Sequence, residues 1–275
     1  MRARAVPLAL AAAVLLGAAS PMPLLSHRAQ YEVTLAPGGV SREIAGVRGL
    51  MVSEFRESCG GYAETQRFVA DLTDVDDHAI RTDYSSATWE SADGGKFDFT
   101  IADAVVGNTA EHYQGHAEAT AEGGSAVFTV PAGVTITLPK DTLFPVEFSE
   151  HLIAAAGAGE TNFAATIFQG DDPKRLSYAS AFIGREETTA DAELSDVDAM
   201  HGVRSWPVVI SYFPVDSPDA AADFEITFRL YENGVATGLR MRYANFSLAG
   251  RLVKLDVLAA SCEGRTGQGS EGRND

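Results

Sequence analysis

The stretch Phe224-Glu-Ile-Thr-Phe-Arg-Leu-Tyr231-Glu-Asn-Gly234-Val-Ala-Thr-Gly-Leu-Arg-Met-Arg-Tyr243 decides the fold. Phe224, Ile226, Phe228 and Leu230 alternate with Glu225, Thr227 and Arg229, and Leu239, Met241 and Tyr243 alternate with Arg240 and Arg242. Successive side chains of a strand point to opposite faces, so this period of two predicts antiparallel strands with one face buried and one wet. Between them, Asn233-Gly234 tolerates the positive φ of a tight primed turn, and the whole stretch reads as a β-hairpin.

The same period extends outward. Val253, Leu255 and Val257 continue it towards the C-terminus, and Val134, Ile136 and Leu138 alternate with Thr135 and Thr137. Further strand-like runs cover 27–35, 47–57, 62–71, 79–89, 97–104, 163–169, 176–183 and 208–213. These make about a dozen strands separated by turn residues, with no repeat of fixed length. One segment breaks the rhythm. Over 145–156, Phe148, Leu152, Ile153 and Ala156 fall on one helical face. Pro145 suits a first helical position, Glu147 and Glu150 suit the N-terminal dipole, and Gly157 and Gly159 can end the helix. A sheet of this size must curl, and a closed or half-open barrel with a helix in its interior satisfies that geometry. Two stacked sheets are the competing solution.

The termini speak to location. Met1-Arg-Ala-Arg4 is a basic start, 5–19 is apolar, and Gly17, Ala18, Ala19 and Ser20 supply small residues for cleavage. Residues 1–20 therefore read as a secretory signal peptide, with an uncleaved N-terminal anchor as the alternative. No cysteine lies near residue 20 to carry a lipid, and no later stretch is apolar enough to span a membrane. Residues 21–262 read as a single domain, and 263–275, without a hydrophobic anchor, as a disordered tail.

The cysteines are Cys59 and Cys262 alone. In an oxidising compartment an even count of two reads as one disulfide, the alternative being two unrelated buried thiols. Closing a loop that long removes about 5 kcal/mol of denatured-chain entropy in the simplest treatment. Neither cysteine has a lysine or arginine within two positions to lower its pKa, which argues against a catalytic thiol. The net charge of −17, more negative still once Arg2 and Arg4 leave with the leader, disfavours nucleic acid and anionic headgroups as partners.

Motifs of catalysis are absent: there is no G-x-S-x-G, no phosphate-binding glycine loop and no H-E-x-x-H. His112 and His116 have the spacing of two metal ligands on a helix, but Gly115 and the flanks favour a strand, which would separate them. Asp71, Asp74, Asp76 and Asp77 lack the glycine and terminal glutamate of a calcium loop and read as a solvated turn. His151, near Glu147 and Glu150, has no nucleophile beside it and reads as a surface or cap residue. Trp206-Pro-Val-Val-Ile-Ser-Tyr212-Phe213 is either core or the wall of a ligand groove. No metal, cofactor or catalytic residue is assigned.

His27-Arg28-Ala29 with Tyr31, Trp89-Glu90-Ser91 with Asp93-Gly94, Leu143-Phe144-Pro145, Tyr231-Glu232-Asn233-Gly234-Val235 and the two cysteines occur here in one order. In that order they resemble the EipB family of periplasmic cell-envelope integrity proteins of alphaproteobacteria, across roughly 27–262. The family favours an acidic residue and a tryptophan after the first cysteine, where this chain has Gly60-Gly61-Tyr62. The resemblance implies a mainly β fold, a spiral-like half-open β-barrel wrapped around one α-helix. It also implies an intramolecular disulfide, a role in envelope maintenance and no defined enzymatic activity. A bacterial source also discounts the glycosylation sequon Asn245-Phe-Ser247. The expectation is thus a periplasmic, non-enzymatic binding or scaffold protein with an envelope protein or lipid as partner. The alternative is a carrier of lipid or lipoprotein acyl chains in an apolar groove lined by Phe148, Leu152, Trp206 and Tyr212. A hydrolase using His112, His116 or His151 is the enzymatic reading.

Overall fold

A computed structural model describes residues 22–38, 44–58, 60–105, 110–174, 176–189, 191–215 and 221–259. The leader, Cys59, Cys262 and the tail lie outside the described residues. In β1 (His27–Leu35), His27, Ala29, Tyr31 and Val33 are buried and Arg28, Glu32 and Thr34 are exposed, as the alternation predicts. The chain then runs as an antiparallel meander through β2 (Ile44–Ser58), β3 (Gly61–Asp74), β4 (Ala79–Ser91), β5 (Lys96–Val105), β6 (Glu111–Thr120), β7 (Gly123–Val130) and β8 (Val134–Leu138). Helix α1 (Pro145–Gly157) carries it to the far edge of the same sheet. From there β9 (Asn162–Ile167), β10 (Ser177–Ile183), β11 (Ser205–Pro214), β12 (Phe224–Tyr231), β13 (Ala236–Arg242) and β14 (Ser247–Val257) meander back until β14 pairs with β1.

All fourteen strands form one antiparallel sheet, with β8 and β9 at its ends. The sheet does not close strand to strand. Instead Leu143, between β8 and α1, donates its N–H to the Thr166 carbonyl (2.9 Å) and accepts from the Phe168 N–H (3.1 Å). The fold is therefore mainly β, a half-open barrel around one helix. Strands β2, β3 and β4, of 15, 14 and 13 residues, are too long to stay flat under the right-handed strand twist, which makes the sheet wind as it grows.

The hairpin that anchored the sequence reading is present, but its turn differs from expectation. The Gly234 N–H bonds the Tyr231 carbonyl (2.9 Å) and the Tyr231 N–H bonds the Val235 carbonyl (2.9 Å), and of the central pair only Gly234 has positive φ, at 85°. This is an ordinary turn closed by a left-handed glycine rather than a two-residue primed turn. The reason is Asn233, which is buried: its carbonyl accepts the Leu25 N–H (2.9 Å) and its amide reaches Met200 Sδ (3.3 Å).

Strand β7 is missing from the sequence expectation and β6 enters it only through the flanks of His112 and His116, for a physical reason. Apart from Phe128 of β7, their buried inward positions are Gly115, Ala117 and Ala126, too small to print a hydrophobic alternation. They are small because Phe97, Phe99, Phe128, Phe144 and Phe168 fill the space in front of them; a Cβ on Gly115 would lie 2.7 Å from the Phe99 ring. The rings meet at 5.0–6.5 Å, as offset stacks and edge-to-face pairs, the arrangements their quadrupoles favour.

Helix α1 runs one residue beyond the predicted end. The Glu160 N–H bonds the Ala155 carbonyl and the Gly159 N–H bonds the Ala156 carbonyl (both 3.0 Å), a Schellman closure that uses the positive φ of Gly159. Phe148, Leu152, Ile153, Ala155 and Ala156 are buried against β9–β12, among Ala179, Ala181, Val208 and Trp206. No helix among the described residues is long and apolar enough to cross a membrane.

Candidate functional site: the interior cavity and the helix beneath it

The barrel is not filled. A cavity of about 920 Å³ opens between β1–β5 on one side and β11–β14 on the other, with Pro145, Val146 and Ser149 of α1 at its base. That is the size of a small-molecule or lipid site, far beyond what a metal ion or a few waters need. Most residues of β2, β3 and β4 are half-buried rather than alternating cleanly, because their inner faces look into this space instead of a packed core. Apolar lining comes from Met51, Phe68, Leu239, Met241 and Leu248. Tyr212, Phe224, Tyr243 and Phe246 form a continuous aromatic run, with successive ring centroids 5.9, 5.0 and 4.9 Å apart.

Polar groups converge on the same space. Tyr31 donates its hydroxyl to the Ala236 carbonyl (2.8 Å), tying β1 to β13 across the wall. His27 donates from Nδ1 to the Leu25 carbonyl (2.7 Å), and burial lowers its pKa. Glu64, on β3, receives a long bond from Ser53 Oγ (3.4 Å), and burial raises its pKa. Asp103, on β5, has one carboxylate oxygen buried with no hydrogen-bond partner; burial first, then repulsion from Glu111, raises its pKa. Burial pushes the Tyr212 phenol up to about 12.

The helix start is built from the motif residues. Phe144 at the cap position offers no side-chain bond, so the first turn is satisfied from β4: the Val146 and Glu147 N–H groups donate to the two oxygens of Glu90 at 2.8 and 2.7 Å. Glu90 is only 2 % exposed, and burial pushes its carboxyl up to about 7 despite those two bonds, with Glu147 and Glu150 adding repulsion. Gly94 makes room for Glu147, since a Cβ there would meet the Glu147 carboxyl at 2.5 Å. Tyr62 donates to Glu150 (2.9 Å), and Trp89 Nε1 donates to Ser58 Oγ (3.1 Å). Gly61 packs against Trp89 and the Glu90 backbone. The segment in which this chain departs from the family pattern thus helps to hold the helix.

The four residues expected to line a groove are divided. Tyr212 lines the cavity, whereas Phe148, Leu152 and Trp206 are packed together between α1 and β9–β12, with Arg204 stacked 5.3 Å from the Trp206 ring. His112 and His116 are exposed on one face of β6, four residues and therefore about 13 Å apart along a strand, too far to share a metal. His151 is exposed, its ring 6.0 Å from Phe163. Asp74, Asp76 and His78 gather at the β3–β4 turn, but Asp74 spends both oxygens on it, accepting the Asp76 and His78 N–H groups (2.8 Å each) and meeting His78 Nδ1 (3.0 Å). Asp71 is engaged by Arg81 at 3.4 Å. Sequence reasoning missed Glu64, Asp103 and the capping role of Glu90. Only the last had a signal, its place in the Trp89-Glu90-Ser91 motif.

Comparison with known proteins agrees with this architecture. Residues 18–259 match the family described as EipB-like. A curated relative, the cell envelope integrity protein EipB of Brucella abortus, is 35% identical over 246 residues, covering 87% of this chain and 86% of the relative. A crystal structure from Brucella abortus, titled as a beta-barrel-like protein of a domain of unknown function, superposes with a TM-score of 0.79 at 31% identity, covering 86% of this chain and 99% of that one. This chain belongs to the EipB-like family.

Proposed function

We propose that this protein is exported to the periplasm and supports cell-envelope integrity by holding an amphiphilic ligand in its interior cavity, without catalysing a reaction. The observation that carries the reading is the cavity itself: about 920 Å³, walled by methionines, leucines and aromatic rings, with polar groups set among them. Cores of this size close-pack unless an opening is maintained, because every unfilled methyl position forfeits contact energy. The family relationship supports the envelope role, since the Brucella relative bears that name.

Thr82 lies on β4, half-buried and facing the cavity, so Thr82→Trp should push a bulky ring into the space and obstruct it without touching the helix. The wild-type chain is expected to brighten 1-N-phenylnaphthylamine, an apolar probe, and Thr82→Trp to lose most of that signal while keeping its far-UV spectrum. Equal signals from both proteins would mean that the probe binds elsewhere and would remove the support for a cavity ligand. A scaffold reading has its own observation: Phe182 and Tyr178 stand exposed at 57% and 43% on the outer face of β10. Envelope support lost in Phe182→Ser but retained in Thr82→Trp would favour it.

A further inference from the structure

The charge of the lining is one-sided. Glu64, Asp103, Asp171 and Asp223 line the cavity, and among the described residues no lysine or arginine does. On the neighbouring strands, Arg67 and Arg242 are exposed and engaged on the outer surface, with Asp83 at 2.8 Å and Glu225 at 2.7 Å. An acidic protein is expected to place its surplus carboxylates in water, not around an internal space. Two of these groups also lack what burial normally demands. Asp103 keeps a buried oxygen with no partner, and Glu64, half-buried on the cavity wall, has only the 3.4 Å bond from Ser53. Both lie close enough to Tyr84 on β4 for their charges to act on its phenol, as does Asp171, so the carboxylates surround one region of the cavity. Asp103 acts likewise on Tyr243, at the aromatic run of the opposite wall. Carboxylates facing aromatic rings across an apolar space are the two partners a desolvated cation seeks, by Coulomb attraction and by the negative face of the ring. A cleft lined by one sign of charge also concentrates the opposite charge.

Resting on the cavity reading above, we infer that the ligand is a cationic amphiphile, with an amine or quaternary ammonium head held between Glu64, Asp103 and the tyrosines and an apolar body against Met51, Leu239 and Met241. An anionic head, as on a fatty acid or an acidic phospholipid, is rejected by the same groups.

The experiment is isothermal titration of the full chain, below micellar concentration, with three probes sharing one tail: dodecyltrimethylammonium, dodecyl maltoside and dodecanoate. The expected result is binding of the ammonium probe at least about tenfold tighter than dodecanoate, with the maltoside between them. In Glu64→Gln/Asp103→Asn the ratio should fall towards one while maltoside affinity holds. In Asp98→Asn/Glu118→Gln, which removes two exposed charges from the outer faces of β5 and β6, the ratio should persist. Dodecanoate binding as well as the ammonium probe would overturn the inference and leave the cavity reading intact. Loss of selectivity in the outer variant to the same degree would also overturn it, assigning the effect to overall charge. Failure of all three probes to bind would overturn the inference and the cavity reading together.

Discussion

Glu90 is the residue on which the base of the cavity turns. Its two oxygens take the first free N–H groups of α1, a task usually given to a side chain at the helix's own cap position. Its carboxyl, pushed up to about 7 by burial, stays protonated in the folded chain between about pH 4.5 and 7, while the unfolded chain has already released that proton. The folded state then binds more protons, so this group's contribution to stability is greatest below pH 4.5 and declines as pH rises to 7, by up to about 3 kcal/mol. Glu64 and Glu147, also raised by burial, act in the same direction; His27, lowered by burial, acts in the opposite one below pH 6.5. The contribution of Glu90 is therefore read as a difference. Urea midpoints of wild type and Glu90→Gln between pH 5 and 8 should diverge, the wild type losing more stability with rising pH. Parallel curves would show that Glu90 titrates near its ordinary value.

At the scale of elements, α1 is held by burial and by its neighbours. Leu152 is 2 % exposed, and such a side chain contributes about 1.5–3 kcal/mol by leaving water. Leu152→Asp places a carboxylate there with no cation to meet it, and should lower stability by several kcal/mol in thermal or urea unfolding, whereas His151→Ala, exposed one residue earlier, should stay within about 0.5 kcal/mol. Normal stability in Leu152→Asp would contradict the packing of the helix. The start of β1 and the ends of β2 and β14 meet at another tie: the Ser26 carbonyl accepts the Leu258 N–H (2.8 Å) while Ser26 Oγ accepts the Glu57 N–H (2.9 Å). The backbone flanking both cysteines thus comes together at Ser26, which supports a Cys59–Cys262 disulfide. Thiol titration of unreduced, exported protein should find no free thiol, and two reactive thiols would rule the bond out. Elements were legible in the sequence where large side chains alternate, as in β1, or recur at helical spacing, as in α1. They were faint in β6 and missed in β7, where Gly115, Ala117 and Ala126 leave their volume to the phenylalanine cluster.

For the molecule as a whole, the alternation that revealed the strands could not reveal the empty space between them. On β3, Tyr62, Glu64, Gln66, Phe68, Ala70 and Leu72 share one face, and the polar members interrupt what would otherwise read as a core pattern. A position facing a cavity carries the same residue types as a position facing solvent, so Glu64 and Asp103 gave no sign of being interior. The groove was accordingly sought between helix and barrel, at Phe148, Leu152 and Trp206, where the structure has a packed cluster, while Tyr212 alone of the four faces the opening. The central claim is that this opening, rather than the outer surface, supports the envelope. It is tested most directly by complementation in the native bacterium: a strain lacking the gene, challenged with envelope-stressing detergent, receives either wild type or Thr82→Trp at matched periplasmic levels. The account predicts that the obstructed variant folds and accumulates but leaves the strain detergent-sensitive. Full rescue by Thr82→Trp would contradict it.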